Sequence, residues 1–181
     1  NVPALDRGEG KILRYRLVGA ELERAGIIDL GFPIFAGGFR NPFGMTCDAA
    51  TGLPLVVDNG PGIKGHDQLR LVEPGSNHGW PYTRDRVFPE PPLWDSQLPA
   101  LAPTDVISLI SDDGAQEVLF SSFNSGGIYR LGLDGAGTAV ISIELVFLAP
   151  SGALALEMGP DSCLYVADLS SIWRVATDHC Q

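Results

Sequence analysis

The sequence predicts an all-β fold of the β-propeller class, and three observations lead to this prediction. A four-residue phrase, with a bulky residue before an arginine and an apolar residue after it, recurs at 12–15, 68–71, 128–131 and 172–175. Each of the last three copies follows an apolar segment that ends in polar residues or glycine, at 55–60, 118–122 and 164–168. The 22 glycines and 14 prolines fit many tight turns between short strands. Self-similarity at roughly 40–50 residues, built from short alternating strands, is typical of propeller blades.

In chain order, the pattern predicts one partial propeller domain over 1–181. Its parts are a partial blade 1–37, a blade 38–74, a long Pro-rich loop 75–102, a blade 103–150 and a last blade 151–178. Proline density and the two tryptophans Trp80 and Trp94 favour an ordered loop over a strand in 75–102. Propellers close with roughly four to eight blades, so we expect this chain to supply only part of a ring.

Composition and charge restrict the class of partner. Of the 181 residues, 45% are hydrophobic, which is enough for a core and argues against disorder. The formal net charge of −10 argues against nucleic acid and anionic membranes, since both need a basic surface. No apolar run approaches the roughly 18 residues of a membrane span. The chain has neither an initiator Met nor a signal peptide, and we expect a mature or excised piece.

The three cysteines are Cys47, Cys163 and Cys180. An odd count without metal-ligand spacing leaves two alternatives open, one disulfide such as Cys163–Cys180 or buried free thiols. Cysteine usage alone does not fix the compartment.

Four motifs occur in a fixed order along the first half of the chain. They are Gly-Lys-Ile-Leu-Arg at 10–14, Gly-Gly-Phe-Arg-Asn-Pro-Phe-Gly at 37–44, Asp-Asn-Gly-Pro-Gly at 58–62 and Glu-Pro-Gly-Ser-Asn-His-Gly-Trp-Pro at 73–81. This combination resembles the glucose/sorbosone dehydrogenase family. The resemblance implies a six-bladed propeller that uses pyrroloquinoline quinone (PQQ) and calcium to oxidise aldoses, with this chain covering about half to two-thirds of the ring. It also implies a secreted protein, extracellular or periplasmic, that acts on a sugar or another small-molecule substrate.

The resemblance assigns site residues as well. Arg40 and Asn41 match positions that contact the cofactor, and Gly60 and Pro61 match positions whose carbonyls bind calcium. A guanidinium fork beside an amide can pair the oxygens of a planar quinone, and calcium accepts carbonyl oxygen as readily as carboxylate. The alternatives are that Arg40 and Asn41 cap strands, and that Gly60 and Pro61 form a plain turn. For 77–81, a structural turn whose tryptophan packs against the blade is preferred over a second calcium site.

No catalytic residue is assigned. The family's general base is a histidine on an earlier blade, and no histidine precedes His66. The family also pairs the cofactor carboxylates with cations from later blades, whereas the matching positions here, Asn124 and 152–154, are neutral. Where the family commonly has an acidic residue after the Gly-Pro turn, this chain has a longer segment that ends in Gln68. We therefore expect the isolated chain to be inactive.

The remaining charged residues are interpreted structurally. The repeated arginines Arg14, Arg70, Arg130 and Arg174 are expected to brace strands, and His66 and His179 to lie on the surface. The alternative function is a non-catalytic propeller of the same family that binds protein or glycan through the 75–102 loop. A lactonase- or synthase-like propeller is a third reading, although such proteins lack this motif order. Under each reading, missing blades or another chain would complete the ring.

Overall fold

The computed structural model describes residues 10–29, 33–62, 66–81, 90–96, 100–177 and 180. These residues form antiparallel strands and turns and contain no α-helix, so the all-β prediction is confirmed. Within the described part of the chain there is also no helix with the length and apolar character to cross a bilayer. The chain divides into two compact units, one of Asn1–Pro42 with Val72–Pro91 and one of Phe43–Leu71 with Pro92–Gln181.

The first unit is built around a small sheet and a hairpin. Its strands are β1 (Lys11–Leu13), β2 (Tyr15–Val18), β3 (Glu21–Arg24), β4 (Ile28–Asp29) and β5 (Pro33–Gly37). The sheet has the order β1-β5-β4, and β2 pairs with β3. Strand β5 is central, and its Ile34, Phe35 and Ala36 are buried together with Phe39.

The 12–15 copy of the repeated phrase is not one strand. A bulge disturbs β1 between Ile12 and Leu13, and the strand ends at Leu13. The amide of Arg14 then donates to the carbonyl of Pro33 at 2.9 Å, and the chain turns into the β2–β3 hairpin. The 12–15 copy is thus divided between β1 and β2, whereas each of the other three copies lies within one strand.

The second unit contains three sheets, which we call blades A, B and C. Blade A comprises β6 (Pro42–Cys47), β7 (Pro54–Asp58), β8 (Gln68–Leu71) and β9 (Trp94–Asp95). Blade B comprises β10 (Pro103–Ile110), β11 (Gln116–Ser122), β12 (Gly127–Leu133) and β13 (Val140–Leu148). Blade C comprises β14 (Ala155–Met158), β15 (Leu164–Ala167) and β16 (Ile172–Val175). In each blade the strands follow one another in chain order, as in a meander.

The repeated arginines of this unit occupy the same strand of each blade. Arg70, Arg130 and Arg174 lie on β8, β12 and β16, the third strand in each case. They stand opposite Val56, Leu119 and Tyr165 of the second strand.

Apolar side chains join neighbouring blades through two buried clusters. Between blades A and B, a buried cluster includes Leu55, Leu69 and Phe120. Between blades B and C, a second cluster includes Ile128 and Leu164. Full burial of each such side chain contributes about 1.5–3 kcal/mol, so these clusters fix how the blades stack.

Polar contacts show that the first strands of the three blades run in the same direction. At the start of β10, the Thr104 hydroxyl donates to the carbonyl of Ala153, just before β14, at 2.8 Å. At the other end, the Ser108 hydroxyl near the end of β10 donates to Asp48, just after β6, at 3.2 Å. The turn after each second strand therefore returns to the end at which the first strands begin. We call this the entry end of the second unit.

Candidate functional site

In the first unit, two of the sequence motifs come into direct contact. Gly37 forms a parallel β-bridge with Asn77. The His78 amide donates to the Gly37 carbonyl at 2.9 Å, and the Trp80 amide donates to the Gly38 carbonyl at 2.8 Å. Segments 37–41 and 76–80, far apart in sequence, thus lie side by side.

Gly38 makes this contact possible for two reasons. Its φ of 83° lies in the left-handed region, which residues with a Cβ disfavour by about 1–2 kcal/mol. A Cβ at this position would also collide with the Asn77 side-chain oxygen and would lie 2.6 Å from the Gly79 nitrogen. Glycine is therefore required both by backbone conformation and by close approach.

A buried ring pair lies beneath the contact. Phe39 and His78 are almost completely buried, and their ring centroids lie 4.6 Å apart. The Ser76 hydroxyl donates to the Glu73 carbonyl at 2.7 Å and lies 2.9 Å from Nε2 of His78. Because Ser76 has only one proton to give, Nε2 of His78 donates to it. These contacts hold the buried His78 ring in place beside Phe39.

The two residues assigned to the cofactor, Arg40 and Asn41, have exposed side chains at the rim of the contact. The guanidinium carbon of Arg40 lies 5.9 Å from the centroid of the Trp80 ring, within the range of a cation–π interaction. Trp80 therefore orients the arginine. A planar guanidinium next to an indole can recognise carboxylate or quinone oxygens.

In the second unit, the two residues assigned to calcium lie at the entry end. β7 runs through buried residues to Asp58, and the chain then turns through Gly60 and Pro61. Gly60 is half-buried and Pro61 is exposed. The turn continues through Gly62 with a φ of 62°.

A carboxylate that sequence reasoning missed holds this turn. Asp67, only 2% exposed, accepts the Gly60 amide at 2.9 Å through Oδ1. Through Oδ2 it accepts the amides of Leu101 at 2.7 Å and Ala102 at 2.9 Å. The signal in the sequence is an aspartate six positions after Pro61, next to Gln68, the residue compared with the family's acidic position. Gln68 instead donates to Asp95 at 3.1 Å within blade A.

The bracing role predicted for the repeated arginines is confirmed for Arg130, whereas Arg174 pairs with a turn residue. The pKa of Arg70 is lowered overall, because the effect of burial exceeds the opposing effect of the nearby carboxylates of Asp58 and Asp95. Arg130 pairs with Glu144 on the adjacent strand at 2.6 Å. Hydrogen bonding to Asp161, at 2.9 Å, is the main cause of the raised pKa of Arg174.

Two further expectations on histidines have different outcomes. His66 has a half-exposed side chain, with its Nδ1 at 2.8 Å from Asp95. His179 lies outside the described residues.

The neutral positions that the resemblance matches to cations of the family lie in loops at the entry end of the second unit. The Asn124 amide donates to the Ala100 carbonyl at 2.9 Å. At Gly152, a Cβ would lie 3.0 Å from the Phe123 carbonyl oxygen and 3.1 Å from its ring. A longer side chain does not fit at 152 unless Phe123 moves. Phe123 itself is 42% exposed at the entry end.

For metal binding, the described residues contain no group of three or more histidine, cysteine or acidic side chains. Residues 77–80 lie in the contact with 37–41 described above, and the second calcium site at 77–81 stays the alternative prediction.

The cysteine alternatives are settled by a disulfide between Cys163 and Cys180, whose Cα atoms lie 4.5 Å apart. The third cysteine, Cys47, is free and exposed, not buried. The bond fastens the C-terminal segment to blade C.

Meandering blades stacked through apolar faces, with the turns after the second strands gathered at one end, are typical of a β-propeller. Residues 3–88 match the sequence profile of the Glucose / Sorbosone dehydrogenase family, which confirms the resemblance read from the motifs. No curated protein sequence matches the chain significantly.

Solved structures extend the likeness to nearly the whole chain. An oxidoreductase (glucose dehydrogenase) from Thermus thermophilus is 26% identical over 88% of this chain and 49% of its own, with a TM-score of 0.72. The soluble aldose sugar dehydrogenase of Escherichia coli, in its apo form, is 22% identical over 95% of this chain and 55% of its own, with a TM-score of 0.74. The PQQ-bound aldose sugar dehydrogenase of Streptomyces coelicolor is 21% identical over 88% of this chain and 46% of its own, with a TM-score of 0.64. The β-propeller prediction is thus confirmed, and the chain spans about half the length of each of these proteins.

Proposed function

We propose that this chain is part of a PQQ- and calcium-dependent aldose dehydrogenase propeller. The observation that carries the proposal is the contact at Gly38, which joins 37–41 to 76–80 and places Arg40 beside Trp80. Both segments lie within the stretch that matches the sugar dehydrogenase family. Since a glycine is required at the contact, the arrangement is specific and not a generic turn.

In this proposal Arg40 and Asn41 hold PQQ. The guanidinium offers a charged donor fork and the asparagine an amide, which together suit the oxygens of a planar quinone. When bound, PQQ would supply the two-electron oxidising chemistry. Trp80 keeps the guanidinium oriented through the 5.9 Å cation–π contact, so less side-chain entropy is lost on binding.

Gly60 and Pro61 bind calcium through their carbonyls. Calcium takes 6–8 oxygen ligands, so two carbonyls alone give weak affinity. Other parts of a complete ring would supply the remaining oxygens.

The isolated chain lacks parts of the machinery. No histidine precedes His66 to act as the general base. Neutral Asn124 and Gly152 stand where cations would pair the carboxylates of PQQ, and an unpaired buried charge costs several kcal/mol. Missing blades or another chain would have to complete the ring before sugar oxidation is possible. We place the protein in the extracellular space or the periplasm, a location that the disulfide favours.

The test adds PQQ and calcium to the isolated chain and follows dye reduction with glucose. We expect no activity. Dye reduction that disappears in Arg40→Ala, but persists in the bracing-arginine control Arg130→Ala, would show that the isolated chain is a working enzyme.

A second candidate is a non-catalytic propeller of the same family that binds protein or glycan. The observation that favours it is Phe123, an exposed aromatic ring over Gly152 with a neutral Asn124 beside it. Such a surface suits the apolar face of a sugar ring better than a tricarboxylate. Binding of neutral oligosaccharides that is lost in Phe123→Ala and unaffected by PQQ would favour this function over the first.

A further inference from the structure

Asp67 is a buried carboxylate that binds two separate loops at once. Its Oδ1 accepts the Gly60 amide at 2.9 Å, and its Oδ2 accepts the amides of Leu101 and Ala102 at 2.7 and 2.9 Å. Ser96 fixes the backbone of Asp67 from both sides, with hydrogen bonds of 3.0 Å and 2.9 Å. Both oxygens of the Asp67 carboxylate therefore accept hydrogen bonds from backbone amides.

The second of these loops continues the connection to blade B. The Ala102 carbonyl accepts the Phe123 amide at 3.0 Å. The Ala100 carbonyl accepts the side-chain amide of Asn124 at 2.9 Å. An unbroken series of hydrogen bonds thus runs from Gly60, through Asp67, to Asn124. Its two ends are the turns that the family resemblance assigns to calcium and to the cofactor carboxylates.

Ala102 has a strained backbone at the centre of this series. Its φ of 50° lies in the left-handed region, which is unfavourable for a residue with a Cβ. Hydrogen bonds from the amides of Leu101 and Ala102 to a charged acceptor compensate for this conformation. Removal of the carboxylate would leave buried amides without an acceptor.

We propose that Asp67 is a positioning residue, which holds the Gly60–Pro61 turn and the 123–126 turn in a fixed relation for ligand binding. The identity of the ligand rests on the proposed function, whereas the positioning itself does not. Asp67 acts through backbone groups and is not assigned any contact with substrate or metal.

The first test is amide hydrogen exchange in Asp67→Asn. The amide side chain has the same shape but only one acceptor oxygen, so its NH₂ group faces backbone N–H donors on one side. Exchange of the Gly60 amide, or of the Leu101 and Ala102 amides, should accelerate by about tenfold or more, with no change at Val118 in the core. The matched control is Asp113→Asn, a turn carboxylate at the opposite end of blade B, which should leave these amides unchanged. Unchanged exchange in Asp67→Asn would overturn the proposal.

A double variant guards against simple loss of folding. In Asp67→Asn/Ala102→Gly, glycine adopts the left-handed conformation at no cost, so protection should recover at Phe123, whose amide donates to the carbonyl of residue 102, but not at the amides that have lost their acceptor at position 67. Equal recovery at Phe123 and at all three amides that donate to Asp67 would contradict the proposed role of Asp67. If neither variant folds, Ala102→Gly alone decides. Because this variant keeps the carboxylate, its Gly60 amide should remain protected from exchange. Loss of that protection would assign the positioning to Ala102 instead.

The second test is calcium titration of the same variants, with and without PQQ. We expect Asp67→Asn to weaken calcium binding by about tenfold, as outer-shell partners of metal ligands typically do, and Asp113→Asn to leave it unchanged. If the unsubstituted chain binds no calcium, the metal assignment fails while the exchange data still decide whether Asp67 positions the turns. Faster exchange with unaltered calcium affinity would overturn the role of Asp67 in ligand binding.

Discussion

Gly38 lies so close to Gly79 that a Cβ on Gly38 would be 2.6 Å from the Gly79 nitrogen. We predict that Gly38→Ala destabilises the protein by more than about 2 kcal/mol, the sum of left-handed strain and steric collision. The control is Gly19→Ala in the same unit, where φ is 62° and no atom lies within 4 Å of the added Cβ. It should cost only about 1–2 kcal/mol. Urea denaturation measures both, and equal losses would contradict the account of the contact.

Asp168 gives a prediction for pH. The Ser170 amide, at 2.7 Å, and the Trp173 indole, at 2.9 Å, are the main causes that lower its pKa from 3.8 to about 2. Because the folded-state pKa is depressed, its contribution to stability is complete above 3.8 and is lost as the pH falls toward 2. The melting temperature of the native chain should exceed that of Asp168→Asn at pH 6. The difference should shrink between pH 4 and pH 2, and a constant difference would contradict the assignment.

Phe120 should be the most sensitive core position between blades A and B. It is fully buried, and its ring centroid lies 4.9 Å from that of Trp94 and 5.2 Å from that of Tyr129. Phe120→Ala is expected to cost about 3–5 kcal/mol in the free energy of unfolding. Phe123→Ala, which truncates a partly exposed ring, serves as the control and should cost far less. Similar losses for both would show that the core has been placed incorrectly.

The disulfide should contribute to stability, whereas the free thiol should not. Cys163 and Cys180 are 17 residues apart, and closure of such a loop is worth about 3 kcal/mol in chain-entropy estimates. Cys163→Ser/Cys180→Ser should lower the free energy of unfolding by about that amount, and Cys47→Ser should have little effect. Thermal unfolding with and without reductant checks this. Insensitivity of the native chain to reductant would argue against the bond.

The sequence predicts the strands of the second unit well because each has a local signature. Arg70, Arg130 and Arg174 follow apolar segments that end in turn residues, and each lies on a third strand. The sequence does not predict the split at Arg14, because the hydrogen bond that accompanies it joins Arg14 to Pro33, 19 residues further along the chain. Strand β9 likewise lies within the Pro-rich segment, where composition favours a loop.

The site is less predictable from sequence, because its contacts are non-local. The motifs around Gly38 and Trp80 are each visible in the sequence, but their side-by-side arrangement depends on backbone hydrogen bonds between distant segments. The role of Asp67 is hidden for the same reason, since two of its three amide donors lie more than 30 residues away, at separations of 34 and 35. Spacing along the chain does not encode such partners.

The most direct test of the proposed function uses the longest natural chain that contains this sequence. PQQ-dependent dye reduction with glucose is measured in the presence of calcium for that chain, for Arg40→Ala and for the bracing-arginine control Arg130→Ala. We predict activity that requires both PQQ and calcium, falls by at least about 100-fold in Arg40→Ala, as for loss of a charged ligand contact, and persists in Arg130→Ala. Absence of activity in the unsubstituted chain, or full activity in Arg40→Ala, would contradict the assignment of this surface to the cofactor.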